Sequence, residues 1–188
     1  TAINHATNDE IFIIVYANQN GSSGNFNTFY TYKVTPTGVD PVPVRSTFIT
    51  SVTDPRGNIK VSPDGQYLVS CNMVGGTYIY DFDQTTGALS NERRFNFASS
   101  DNLGYGVEFS PDSSLLYIST LNNASGNNPT AYSTSLFQYD LNAPNIPGSE
   151  ILLDTRQGYR NSMQLGIDGK IYRTTSDTYD NGRPFLSV

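Results

Sequence analysis

The sequence predicts an all-β protein, a β-propeller with four-stranded antiparallel blades, and three observations predict it. One strand–turn–strand unit recurs along the chain. It recurs at about blade length. No stretch carries apolar residues at helical spacing. A repeat of roughly 40–50 residues made of short strands is how a propeller blade reads in sequence.

The clearest copy of the unit runs from Ile59 to Cys71 and turns at Ser62-Pro63-Asp64-Gly65. Proline presets its φ, the aspartate carboxylate caps the turn, and glycine takes the positive φ that ends it. Ile59 and Val61 before the turn, and Tyr67 and Val69 after it, keep strand alternation. A second copy runs from Val107 to Ser119 and turns at Ser110-Pro111-Asp112-Ser113. A third runs from Met163 to Arg173 with Asp168-Gly169, and a worn copy spans Asn8 to Val15. The turn aspartates Asp9, Asp64, Asp112 and Asp168 stand 55, 48 and 56 residues apart.

In chain order, residues 1–7 read as a polar lead-in holding the sole histidine, His5. Ile11–Ala17, Phe29–Val34 and Val42–Thr50 read as the last strands of a first, partial blade at residues 1–50, with Pro41 and Pro43 marking an edge. A whole blade spans 58–97: the organising hairpin, then Gly76–Asp83, then Ala88–Phe97. Another spans 105–153, with strands Tyr105–Phe109, Leu115–Thr120, Leu136–Leu141 and Glu150–Leu153. Its long loop is Leu121–Ser135. A partial blade, 161–188, carries Ser162–Leu165, Lys170–Thr175 and the nascent strand Phe185–Val188. Closed propellers have 4–8 blades, because an open end exposes apolar faces and edges. Two whole blades and two pieces therefore imply part of a larger ring, a seven-bladed one, rather than a closed four-bladed ring. The remaining blades of a longer chain, or partner proteins, would complete it.

Composition narrows the class. The net charge is −6, with 15% charged residues and 13 tyrosines. The acidic balance argues against nucleic acid and anionic membranes as partners. The longest apolar run, Ile11–Val15, is too short for a transmembrane segment. The chain has no methionine start and no leader pattern, so any targeting peptide lies outside it. The lone cysteine, Cys71, reads as a small buried hydrophobe at a strand end. Uncharged polar surface with many tyrosines suits a secreted protein.

The ordered series Ile59–Gly65, Tyr80–Gly87, Gly104–Ser119, Leu136–Leu141 and Met163–Tyr172 resembles the propeller region of gliding-motility-associated surface proteins exported by the type IX secretion system. The resemblance covers His5 to Arg173. It implies a non-enzymatic interaction or scaffold module, secreted or on the bacterial cell surface in association with the outer membrane, serving adhesion or gliding motility. The same turn and the Tyr80-Asp81-Phe82-Asp83 hairpin also resemble lactonase-type seven-bladed propellers, which implies the alternative of a propeller hydrolase. Fold likeness does not decide between them.

Aligning the hairpins places Lys60, Glu108 and Gln164 at one step of successive innermost strands, with Asn58, Gly106 and Ser162 two residues before. Innermost strands line the ring's channel. These side chains are then either a polar site on the axis or, for Lys60 and Glu108, an inter-blade pair that satisfies buried charge. The connections entering these strands carry Arg56, Asp101, Asn102, Tyr159, Arg160 and Asn161, which should gather at one mouth of the ring. Tyrosine and arginine there suit a glycan or a peptide; solvated loops are the other reading. Asp81 and Asp83 lack the glycine and glutamate of a helix–loop–helix calcium loop and read as a strand-end turn. His5 has no partner histidine or cysteine ligand, and no Gly-x-Ser-x-Gly is present. No cofactor, metal site or catalytic residue is assigned. Asn20-Gly21-Ser22 and Asn123-Ala124-Ser125 fit a glycosylation acceptor.

Overall fold

A computed structural model describes residues 1–4, 6, 9–22, 24–97, 103–122, 128–184 and 186–188. A five-stranded antiparallel sheet, two four-stranded ones and a two-stranded one follow each other along the chain, each built in sequence order from its innermost strand outward. The first contains β1 (Ala2–Asn4), β2 (Ile11–Ala17), β3 (Phe26–Thr35) and β5 (Val44–Val52), with the stub β4 (Gly38–Val39) on the end of β3. The second is β6 (Ile59–Val61), β7 (Tyr67–Asn72), β8 (Gly76–Phe82) and β9 (Leu89–Phe95). The third is β10 (Leu103–Phe109), β11 (Leu115–Leu121), β12 (Ser133–Asp140) and β13 (Ile151–Gln157). The last pairs β14 (Met163–Leu165) with β15 (Ile171–Arg173). This is the propeller architecture, a partial ring of antiparallel blades.

Several boundaries differ from the sequence reading: strands begin earlier at Phe26, Leu103 and Ser133, the last within the stretch read as a loop, and two further differences bear on the blades. Ala2–Asn4 is a strand, paired with Ile11–Ile13, so the polar lead-in supplies the innermost strand of the first sheet. The outer strand of the third sheet runs on to Gln157, because Thr155, Arg156 and Gln157 keep pairing with Ser135, Thr134 and Ser133. Two single 3-10 turns, Pro129–Ala131 and Ile146–Ser149, are the helical elements among the described residues.

Strand alternation builds the core. Leu68 faces a cluster shared with Phe12, Ile14, Phe29 and Val52 of the first sheet; its neighbour Val69 faces a cluster shared with Val107, Phe109, Ile118 and Tyr139 of the third. Tyr80 and Ile79 divide the same way. Successive side chains point to opposite faces of a strand, and a blade buried on both faces needs apolar residues at every step. Aromatic rings fill the seams: Phe29 meets Tyr80 edge-on at 5.0 Å, and Phe95 meets Tyr139 at 4.6 Å.

The repeated turns also tie one blade to the next. Asp64 accepts the Ser62 hydroxyl at 2.6 Å and the Gln66 N–H at 3.1 Å. Asp112 accepts the Ser110 hydroxyl at 2.6 Å and the Ser114 N–H at 3.1 Å. The Asp64 N–H then donates to the hydroxyl of Ser113 in the neighbouring turn at 3.0 Å. Asp83 caps a strand-end turn, accepting the Thr85 N–H and the Thr86 hydroxyl, each at 2.8 Å.

Candidate functional site

Because β6, β10 and β14 share a register, their equivalent side chains meet. Lys60 Nζ donates to Glu108 Oε2 at 2.8 Å and to Gln164 Oε1 at 2.9 Å. The Leu165 N–H donates to the same Glu108 oxygen at 2.9 Å, and the Phe109 N–H to the other at 3.1 Å. Glu108 is buried, Lys60 half-buried and Gln164 exposed. Both carboxylate oxygens are therefore engaged by groups from three successive sheets. The arrangement is the inter-blade pair, with Gln164 extending it into the fourth sheet. Ser162 and Asn58, two steps earlier, touch at 3.4 Å, while Gly106 lets the Asn161 carbonyl approach.

The connections entering these strands form a mouth. Arg160 lies between two phenol rings, its guanidinium carbon 4.5 Å from the Tyr159 ring centre and 5.2 Å from that of Tyr105. Tyr132 and Tyr179 meet Tyr159 edge-on at 4.6 and 6.3 Å. Tyr105, Tyr159, Arg160, Ser162, Ser176 and Tyr179 help to line a cavity of about 270 Å³. The loop after β15 folds in to close one side: the Tyr159 N–H donates to Ser176 O at 2.7 Å, and the Ser176 N–H to Arg160 O at 3.2 Å.

Arg56, exposed at the rim, donates through Nε to both oxygens of Asp54, at 2.8 and 3.0 Å. That side-chain pairing is the main reason Asp54 titrates below the usual carboxylate range. The pairing also raises the Arg56 guanidinium, to which Tyr159 and Tyr105 add smaller contributions. Arg56 itself is not among the residues that line the cavity around Arg160. Arg160, unlike Arg56, has no ion pair among the described residues.

Asn161 also lines this cavity, but its side chain is buried. It turns inward from the connection before β14 and lies at 1% exposure against Thr134 and Arg173. With its amide nitrogen toward Thr174 O and Thr175 Oγ1, both at 2.9 Å, and its oxygen toward Arg173 Nη2 at 2.9 Å, both ends are satisfied. It supports the mouth from beneath and offers a ligand no side chain. Asn102, Asp101, His5 and Asn123 lie outside the described residues. Tyr105, Tyr132 and Tyr179 were not singled out in sequence. Tyr105 reads as an ordinary strand residue, and the available signal was its place immediately before Gly106. Among the described residues no three His, Cys, Asp or Glu side chains gather as metal ligands, and no helix is long and apolar enough to cross a membrane.

No family model matches the chain, and no curated protein matches it in sequence. Solved structures do match in shape. An endo-arabinase from Bacteroides thetaiotaomicron superposes with a TM-score of 0.58 at 12% identity, over 99% of this chain and 72% of that one. A 6-phosphogluconolactonase-like protein from Bacteroides uniformis gives 0.52 at 15%, over 93% and 46%. The Dos1 propeller gives 0.53 at 13%, over 98% and 56%. At such identities the likeness is one of fold, and the chain spans about half to three quarters of these structures.

Proposed function

We propose that the chain is a non-catalytic β-propeller module of a secreted or cell-surface protein, binding a ligand at its tyrosine–arginine mouth in an adhesive or motility-associated role. The observation that carries this reading is Arg160, held over the rings of Tyr105 and Tyr159 beside an open cavity, with no salt bridge among the described residues and the Asp54 carboxylate acting on it only at longer range. Rings that hold a guanidinium in place fix the direction of its donors before any ligand arrives, which lowers the ordering cost of binding. The resemblance to gliding-associated surface proteins supports the location, and the low charge with abundant tyrosine agrees with it.

The rival is a propeller hydrolase, since the endo-arabinase and the lactonase-like protein share the fold. The acid on the channel strand that such an enzyme would use is Glu108. Its oxygens already accept from Lys60, Leu165 and Phe109, which supports a role in holding blades together. A glycan and peptide array, run beside turnover assays with sugar lactones and arabinan, separates the two. Binding lost in Arg160→Met with no turnover is expected. Turnover abolished by Glu108→Gln in a protein that stays folded would overturn the proposal.

A further inference from the structure

Resting on the reading of the mouth as a binding site, we infer that its ligand is an acidic glycan, with a uronate carboxylate seated on Arg160 and a sugar ring against Tyr179.

The charge census of the mouth points to a carboxylate. Arg160 is the one charged residue among those described that line the cavity. The arginines around it are neutralised locally, Arg56 by Asp54 and Arg183 by Asp177. The chain's net charge of −6 therefore does not describe this spot. Arg160 Nε is buried without a hydrogen-bond partner. A guanidinium held over two phenol rings presents its donors in its own plane, where two Nη–H groups fit the two oxygens of a carboxylate.

The aromatic surroundings point to a sugar. Tyr179 is 71% exposed at the cavity edge, beyond the Tyr159 ring that Arg160 occupies. An exposed phenol beside Ser162 and Ser176 hydroxyls offers an apolar platform and short polar groups. A rigid amphipathic ring bearing hydroxyls uses both, and an extended acidic peptide uses neither as fully.

Isothermal titration of the 188-residue chain with trigalacturonate, and with neutral galactotriose for comparison, tests the inference. Trigalacturonate should bind at least about tenfold more tightly, as a charge-assisted hydrogen bond implies. Its binding should weaken with added salt while that of galactotriose does not. Arg160→Met should lower trigalacturonate affinity roughly tenfold to hundredfold, Arg160→Lys should fall between, and Tyr179→Ala should weaken both sugars. Circular dichroism melts check that the variants fold, and the salt series on the unaltered protein needs no variant. Equal binding of both sugars, insensitive to salt, overturns the acid preference and leaves the binding mouth standing. Arg160-dependent binding of hexaglutamate without trigalacturonate binding overturns the glycan assignment. A blank glycan and peptide array overturns the underlying reading itself.

Discussion

Lys60 Nζ lies 2.8 Å from Glu108 Oε2, although the residues are 48 positions apart and sit on different sheets. The pair closes the inner seam of two blades. Removing one partner strands the other, and Glu108→Ala also leaves the Phe109 and Leu165 N–H groups without their acceptor. Glu108→Ala should cost about 3 kcal/mol, the lower end for a broken buried pair because Lys60 is half-buried and keeps Gln164. The double variant Lys60→Met with Glu108→Leu should recover the part of that loss due to the stranded Lys60 charge, while the Phe109 and Leu165 N–H groups still lack an acceptor. Urea denaturation of the full cycle reads both; additive single effects would exclude coupling.

Stability should fall at alkaline pH. Burial, the main cause, pushes the Cys71 thiol from 9.0 up to about 12. Burial also raises Tyr80 and Tyr139 well above 10.0, helped by the carboxylates of Glu92 and Glu150. Unfolded, these groups lose their protons at their ordinary values while the folded protein keeps them. The unfolded state then binds fewer protons, so stability is whole below about pH 9 and declines by ~1.4 kcal/mol per pH unit per group above that group's unfolded pKa. Denaturation at stepped pH should show the decline, with Cys71→Ala delaying its onset. The native thiol should resist alkylation at pH 8 and react on unfolding.

The acid limb involves the turn aspartate. The Ser110 hydroxyl first, then the Ser114 N–H and hydroxyl, hold Asp112 down to about 2 from 3.8. The turn's contribution is thus present above pH 3.8 and is lost as pH falls through about 2. Carboxyl NMR should place the Asp112 midpoint near 2, and Ser110→Ala should move it upward; an ordinary midpoint in the unaltered protein would refute the turn's role.

What the sequence made legible was local or periodic. The Ser-Pro-Asp turns could be read because each residue has its own reason to be there. Lys60, Glu108 and Gln164 could be aligned because equal distance from a turn means equal register. The strand Ala2–Asn4 could not be read. Three residues carry no periodicity, and its partner Ile11–Ile13 defines it. The mouth was half legible: Arg160 follows from chain position, but it meets Tyr105 only through blade-to-blade packing. Asn161 does line the mouth, but the burial of its side chain against Thr134 and Arg173 depends on packing between sheets that no local pattern shows.

The outward face of the first sheet should be adhesive. Phe12 and Ile14 are 2% exposed, whereas Ile11, Ile13 and Val15, between and beside them, are 38%, 40% and 48% exposed. Such a stripe fits another blade or a partner rather than water. Sedimentation velocity should show concentration-dependent association. Ile13→Lys with Val15→Lys should suppress it and change stability by less than about 1 kcal/mol, as surface substitutions do.

Gly106 should prove a structural requirement of the mouth. It is the glycine between Asn58 and Ser162 in the aligned innermost strands, and a Cβ there would lie 2.5 Å from Asn161 O and 2.6 Å from Ser119 Oγ. Neither yields cheaply, since the first is backbone and the second already donates to Asn161 O at 3.2 Å. Gly106→Ala must therefore push away the segment that carries Tyr159 and Arg160, at a cost of roughly 1–3 kcal/mol typical of overpacking. Gly38→Ala, with no neighbour within 4 Å but a φ of 128°, is the matched control for a glycine lost to backbone strain alone. Both variants should melt below the unaltered protein, and only Gly106→Ala should also weaken trigalacturonate binding. Unchanged binding in Gly106→Ala would mean that the mouth is positioned by the loop after β15 instead of by this seam.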